Sequence, residues 1–355
     1  MNIIRNRPKH SVHLSQGCLE NKMAADTGKS VTLYYFPGSY YSLKVLHALY
    51  EKDVSFKEKH IFIVLGEQNE EWYLKKNNMG EVPCLEIDGK CTSESEAIID
   101  VIDQTFHSGG KLVPDVKTAV GNEVKTFRKF LHDIPIDVIT YGVFANREFC
   151  VDRSYLDKLP AKVTARAEIS KRFSGEVTHL IKVSEALSPE MKETINAKIV
   201  KVSRKLANVL NKEEVAKCLN ELEDVFNKIA ELLEKNTREH GDANDTWLFG
   251  PAFTAADITA IGLMIRLTFI GIAPRYFSID KRPIVQAYYT RAMQRPSVKK
   301  ILEVMDAAPG AIMRSFIKSK ALKVLKFAIA VGVVALGYVG FKKTQTVNLL
   351  PDEKA

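Results

Sequence analysis

Hydrophobic and polar positions change their period along the chain. Val31-Thr-Leu-Tyr-Tyr-Phe36 is a β-branched and aromatic run, which predicts a strand, and Pro37-Gly38 predicts a turn after it. From Ser42 to Lys52 the period becomes helical, with Leu43, Leu46, Ala48 and Leu49 on one face. Val54–Phe62 predicts a second strand. Val82–Ile87 and Lys90–Thr92 flank Asp88-Gly89, a strong short-range hairpin signal. Ser95–Phe106 predicts a helix with Ala97, Ile98, Val101 and Ile102 inward.

With a helix between the second strand and the hairpin, the order is βαβ, helix, ββα. That order predicts an α/β domain of thioredoxin type over residues 31–110. From Val120 onward the period is helical throughout, first in Phe127, Phe130, Leu131 and Ile134. Residues 160–235 are charged and helical, and Leu219, Leu222, Phe226, Ile229 and Leu233 form an apolar stripe. The charge run there reads as a solvated face. Thr254-Ala-Ala-Asp257 is a capping box, with Thr254 capping a helix whose third residue is acidic. Arg282–Met305 predicts a helix pair broken at Arg295-Pro296. Residues 120–310 therefore form an all-α second domain.

The end of the chain changes the picture. Phe327–Phe341 is an uncharged run of 15 residues. Arg314, Lys318, Lys320, Lys323 and Lys326 precede it, and Lys342 and Lys343 come directly after. As a helix the run spans about 22 Å, or about 30 Å if counted from Lys323 with Lys326 snorkelling. That suffices for a thin bilayer. A buried core helix would carry a polar stripe and not seven unopposed cations. The expectation is a transmembrane tail anchor over 327–341, a basic juxtamembrane segment over 311–326 and a short tail over 342–355.

Net charge is +8, unevenly spread. Residues 158–217 carry 13 Lys/Arg against 7 Asp/Glu, 312–343 carry 7 against none, and 1–30 carry 5 against 2. The rest is acidic, so basicity sits on extensions that suit an anionic membrane surface. No basic patch is interleaved with aromatics, which argues against nucleic acid as a partner. Five scattered cysteines without a CxxC pair fit a reduced compartment and give no metal site. Residues 1–30 read as a disordered extension, not a signal peptide.

Three short motifs carry candidate chemistry. Pro37-Gly-Ser-Tyr-Tyr-Ser42 puts Ser39, Tyr40 and Tyr41 at a helix N-terminus, where partial positive charge favours an anion or thiolate. Gly80-Glu-Val-Pro83 leads into a strand, and Val82-Pro83 is a candidate cis bond beside which an extended peptide could pair. Ser93-Glu94-Ser95 opens a helix; Ser95 could cap it and meet a carboxylate, and Glu94 could accept from an ammonium. Cys84 and Cys91 lie nearby and read as small strand residues.

In this order, and with Phe253-Thr-Ala-Ala-Asp257 in the helical half, the motifs resemble a glutathione transferase. The resemblance covers roughly Val31–Ala307, with a helical insertion at 157–215 between the fourth and fifth helices. Ile99-Asp-Val-Ile-Asp-Gln-Thr-Phe106, Leu112-Val-Pro-Asp115, Pro135–Gly142 and Arg266–Gly271 make the chain similar to the ganglioside-induced differentiation-associated protein family. That resemblance implies a homodimer on the mitochondrial outer membrane, facing the cytosol, with the peroxisomal membrane as a second address. It further implies influence on mitochondrial fission, network shape and redox balance, with fission or cytoskeletal partners. A working membrane-bound transferase is the alternative. Carried over, the pattern implies that Val82 and Pro83 hold the cysteinyl backbone of glutathione, and that Glu94 and Ser95 hold its γ-glutamyl end. Ser39 matches the thiolate donor best, with Tyr40 or Tyr41 as alternatives. Many transferases carry Lys before the Val-Pro pair, whereas this chain has Glu81. An acid there repels the glycyl carboxylate, so weak or absent glutathione binding is expected.

Overall fold

The computed structural model describes residues 28–319, apart from 153–156, 158, 160–163, 186–188 and 242–245. The strand β1 (Val31–Tyr35) pairs in parallel with β2 (Lys57–His60) and antiparallel with β3 (Cys84–Ile87), which pairs with β4 (Lys90–Ser93). The sheet order is β2-β1-β3-β4. Asp88 and Gly89 both take left-handed φ, 50° and 83°, as the tight hairpin requires. Helices α1 (Tyr40–Glu51) and α3 (Ser95–Thr105) bury Leu43, Leu46 and Leu49 and Ile98, Ile99 and Ile102 in the main core. The second strand is shorter than its hydrophobic flanks suggest. Its four residues, Lys-Glu-Lys-His, all face solvent at the sheet edge. Between β2 and β3 two 3₁₀ turns, Ile63–Leu65 and Glu67–Asn69, precede a single helical turn, α2 (Glu71–Leu74).

The second half begins with α4 (Ala119–His132) and α5 (Ile136–Ala145). Next come α6 (Arg166–Glu185), α7 (Pro189–Leu210) and α8 (Lys212–His240). Then α9 (Ala255–Phe269) and α10 (Pro283–Ala292) precede α11, over 296–319, the last helix among the described residues. The stripe Leu219, Leu222, Phe226, Ile229 and Leu233 on α8 is buried as its spacing predicts. The helix α9 is buried on nearly every side, and the Thr254–Asp257 capping box closes its start. Asp257 accepts from the backbone N–H of Thr254 (2.9 Å) and of Leu248 (3.0 Å), and from the hydroxyls of Thr254 and Tyr288.

A charge cluster centred on Glu96 joins the halves through Arg128. Lys44 of α1 meets Glu96 of α3 at 2.5 Å, and Arg128 of α4 meets Glu96 and Asp100 at 2.8 and 2.6 Å. Burial pushes the Glu96 carboxyl up, but the charges of Lys44 and Arg128 outweigh it and hold Glu96 below its ordinary range.

The α6–α7 hairpin lies within the 157–215 segment, and along the chain it comes after α5. Here the solvated-face reading needs correction. On α7, Ile195, Lys198, Val202 and Val209 are all buried, so a lysine sits in the apolar stripe. It is tolerated because its ammonium finds oxygen partners at the end of a long apolar stem. Among the described residues no helix is long and apolar enough to cross a membrane. The expected anchor at 327–341 lies outside the described residues, as does nearly all of the 1–30 extension.

Candidate functional site

A cavity of about 240 Å³ opens where the two halves meet. Its walls come from the β1–α1 turn, the loop before β3, the start of α3, and helices α4, α5, α6 and α7. All three sequence motifs therefore converge on one cleft, although Tyr40 departs from it.

The β1–α1 turn is held from below. Arg266 of α9, only 4% exposed, donates from Nη2 to the Gly38 carbonyl at 2.7 Å. This fixes Ser39, the N-cap of α1, whose Oγ accepts from the Ser42 N–H at 3.4 Å. The hydroxyl proton of Ser39 goes to no acceptor among the described residues, and Ser39 lines the cavity. Ser42 is fully buried and accepts from the Phe36 N–H. Neighbouring residues of a helix point about 100° apart, so Tyr40 and Tyr41 cannot share one cleft. Tyr41 lines the cavity, whereas Tyr40 turns into the α1–α9 contact and donates to the Thr259 carbonyl at 3.5 Å. Burial, then the Asp137 carboxylate, pushes the Tyr41 hydroxyl far above the ordinary tyrosine range. It stays neutral at physiological pH.

The Val82-Pro83 bond is cis, and both residues line the cavity. Glu94 is the N-cap residue of α3 and makes no capping bond with its side chain. Its φ of 68° is left-handed, a conformation costing a non-glycine residue about 1–3 kcal/mol. Ser95 is the first residue of α3, not its cap. It is 3% exposed, and its Oγ has no hydrogen-bond partner.

The far wall was not legible as a site in the sequence. Lys198 of α7, 3% exposed, donates to Asn69 Oδ1 (2.6 Å) and to the Gly80 carbonyl (3.0 Å). Burial lowers its ammonium from the ordinary value near 10.5 to about 8, although Glu176 and Glu81 oppose the shift. One turn on, Lys201 meets Glu81 at 2.6 Å, and Lys205 meets Asp137 at 2.6 Å. Glycine is required at 80. Its φ is +53°, and a Cβ there would lie 2.4 Å from the Gln68 carbonyl and 2.7 Å from Lys198 Nζ. Glu176 of α6 accepts from the amides of Gln68 and Asn69. The Arg172 guanidinium of α6 lies 4.8 and 5.1 Å from the ring centres of Tyr141 and Phe173.

Glu81 is therefore paired, and Lys201 offsets part of its negative charge before Val82-Pro83. The two lysines nearest in sequence lie elsewhere: Lys75 pairs with Glu71 and Lys76 with Glu86. The sequence signal for the true partner was the spacing of Lys198, Lys201 and Lys205, three lysines within two turns of one helix.

Four residues that line this cavity carry a buried polar atom without a partner among the described residues: Gln68 Oε1, Ser95 Oγ, His132 Nδ1 and Arg172 Nη2. An unmet buried polar group costs about 1–3 kcal/mol. Their convergence fits a ligand bearing both donors and acceptors. Glutathione, with two carboxylates, an ammonium and amide groups, is a ligand of that kind. No group of three or more His, Cys, Asp or Glu able to hold a metal occurs among the described residues.

Comparison with known proteins agrees with this architecture. The glutathione S-transferase N-terminal domain model matches residues 33–110, and the C-terminal domain model matches 185–296. Together they span more than half of the chain. The C-terminal match takes in α7 and leaves out α4–α6. The ganglioside-induced differentiation-associated protein 1-like 1 of Homo sapiens is 29% identical over 77% of this chain and 74% of its own length. The beta-etherase LigF of a Sphingobium strain superposes with a TM-score of 0.54 at 23% identity, covering 77% of this chain and 99% of its own. Glutathione transferase F7 of Populus trichocarpa gives 0.51 at 20% identity over 78% and 99%. With both domains matched in order and their cleft assembled between them, the chain belongs to the glutathione S-transferase family and is similar to the ganglioside-induced differentiation-associated proteins.

Proposed function

We propose that this chain is a glutathione transferase-like receptor for a γ-glutamyl peptide, tail-anchored in the mitochondrial outer membrane and facing the cytosol. Through its ligand state it influences fission, network dynamics and redox balance. The peroxisomal membrane is a second address, and a homodimer with fission or cytoskeletal partners is its working form. The observation that carries the ligand reading is the convergence of Gln68, Ser95, His132 and Arg172 as unpartnered groups in one cleft. The membrane address rests on the uncharged run 327–341 with seven flanking cations. Similarity to a ganglioside-induced differentiation-associated protein supports placing the two together.

Charge sets the roles of the chain's own residues. Ser95 and the first N–H groups of α3 receive a carboxylate, and Glu94 holds an ammonium beside them. The backbone at Val82 lies along the extended ligand. When bound, glutathione supplies a thiol. Ser39 can donate a hydrogen bond at that point, which favours the ionised form of a sulfur from its ordinary value of about 8.5. That unspent proton favours the alternative reading, an active membrane-bound transferase. The decisive experiment images a fluorescent fusion of the full chain beside a variant with charged residues at Val331 and Val334. The intact chain should mark mitochondria and alter network shape, and the variant should do neither. Unchanged organelle localisation of the variant would sink the anchor reading.

A further inference from the structure

We propose that Lys198 is a covalent capture site for small polar aldehydes, which its side-chain nitrogen holds as an imine. The inference goes beyond the γ-glutamyl reading and does not depend on it, because that reading gives this amine no role. Lys198 lines the cavity and is 3% exposed. A lysine so deep is ordinarily paired with a carboxylate. Here both of its hydrogen bonds go to uncharged oxygens, Asn69 Oδ1 at 2.6 Å and the Gly80 carbonyl at 3.0 Å. The acids of the same wall are engaged elsewhere, Glu176 with the amides of Gln68 and Asn69, and Glu81 with Lys201. A neutral amine has two N–H groups, and these two acceptors use both, which leaves its lone pair over; an ammonium would have a third N–H to place. Lys201 and Lys205 add two cations within the next two turns of α7. Desolvation beside another cation is the setting that makes a lysine nucleophilic. With its ammonium held at about 8, about a tenth of Lys198 carries a free lone pair at neutral pH, against about one in three thousand for an exposed lysine.

The neutral nitrogen adds to the carbonyl carbon. As the C–N bond forms, the π pair moves onto oxygen, and the proton that nitrogen sheds passes to that oxygen, giving a carbinolamine. Loss of this hydroxyl with the remaining N–H proton, as water, leaves the C=N bond. Water returning by the same path releases the aldehyde, and no oxidant or reductant is consumed. Charge that develops on oxygen during addition meets a buried donor in the same cavity, Arg172 Nη2, which has no partner among the described residues. The polar side chains of Gln68, Asn77 and Glu176 in the walls favour a hydroxylated aldehyde over an alkyl one.

The test incubates the full chain in mild detergent with glycolaldehyde and cyanoborohydride, which reduces an imine to a stable secondary amine. Peptide mass spectrometry then reads the labelling rate of each lysine. At neutral pH Lys198 should label about tenfold or more faster than exposed lysines, because its larger lone-pair fraction outweighs a less basic nitrogen and a narrower approach. Its rate should level off above about pH 8, whereas theirs should keep climbing toward about 10.5. Unfolding in guanidinium should abolish the preference, since burial creates it. Arg172→Gln should slow Lys198 by about threefold or more and leave exposed lysines alone. In Lys198→Arg, which keeps a cation in place, the label should vanish at this position while the rest of the map stays as it was. Lys198 labelled no faster than exposed lysines, or a rate that climbs in parallel with theirs to about pH 10, would overturn the proposal. A preference that survives unfolding would overturn it as well.

Discussion

Lys198 gives the structure its sharpest pH prediction. Its ammonium is buried and held at about 8 in the folded chain, against an ordinary value near 10.5. The lowered value means that the fold disfavours the charged form. The unfolded chain therefore binds more protons between those two values, and stability must rise with pH across that window. Below about 8 both states are protonated and the penalty is present in full; above 10.5 it is gone. From pH 7 to pH 9.5 the penalty should shrink by about 2 kcal/mol, by linkage with those two values. Other groups also titrate over this range, so the comparison is with Lys198→Met, which keeps the apolar stem and removes the titration. The variant leaves Asn69 Oδ1 and the Gly80 carbonyl unpaired, a loss that does not depend on pH. Denaturant unfolding of both proteins at half-unit steps should show the unaltered chain gaining about 2 kcal/mol on the variant by pH 9.5. Parallel curves, or a gain by the variant, would refute the assignment of a buried, destabilised charge to Lys198.

Ser95→Ala removes a buried hydroxyl that has no partner, so the ligand-free chain should become more stable by about 1 kcal/mol while affinity for glutathione falls; thermal melts with and without ligand read both effects. Asp257→Ala leaves the N–H groups of Leu248 and Thr254 and the hydroxyls of Thr254 and Tyr288 without their acceptor, and should cost about 3–5 kcal/mol in chemical unfolding. Gly271→Ala should be worse tolerated than its size suggests, because φ is +76° and a Cβ would stand 1.7 Å from the Asp152 carbonyl oxygen. A loss of several kcal/mol, or failure to accumulate as folded protein, is the expected readout.

Much of the thioredoxin-like half was legible because its signals are local. Asp88-Gly89 fixes a hairpin whatever surrounds it. On α3 the expected inward face holds at Ile98 and Ile102, while Ala97 is exposed and Ile99 is buried in its place. The cis bond at Val82-Pro83 and the Thr254–Asp257 box obey the same logic: residues within three positions decide them. The second strand is shorter at both ends than its sequence suggests, because Val54, Phe56, Ile61 and Phe62 look like strand residues but pack as flanks of a four-residue edge. Tyr40 and Tyr41 are inseparable by chemistry, and only the helix angle parts them. Cys84 and Cys91 behave as packing residues, with burial pushing the Cys84 thiol up to about 12 and the Cys91 thiol up as well. Neither is poised as a nucleophile.

The far wall of the cleft was illegible for a different reason. Its contacts with the thioredoxin-like half join residues more than a hundred positions apart: Lys198 with Asn69, Lys201 with Glu81, Glu176 with Gln68. A charged run on a helix is usually solvated, and here the same run closes a cavity. Position 81 illustrates the consequence. Taken alone, an acid beside the Val82-Pro83 bond argues against an anionic ligand. Paired at 2.6 Å with Lys201, it becomes one half of a neutral unit, and Lys198 and Arg172 set the local charge instead. The sign of the field in this cleft is therefore a property of how α6 and α7 dock, and any motion of that hairpin away from Gly80 and Glu81 would expose Glu81 unpaired. A charged ligand in this cleft would therefore meet a balance that the docking of α6 and α7 sets.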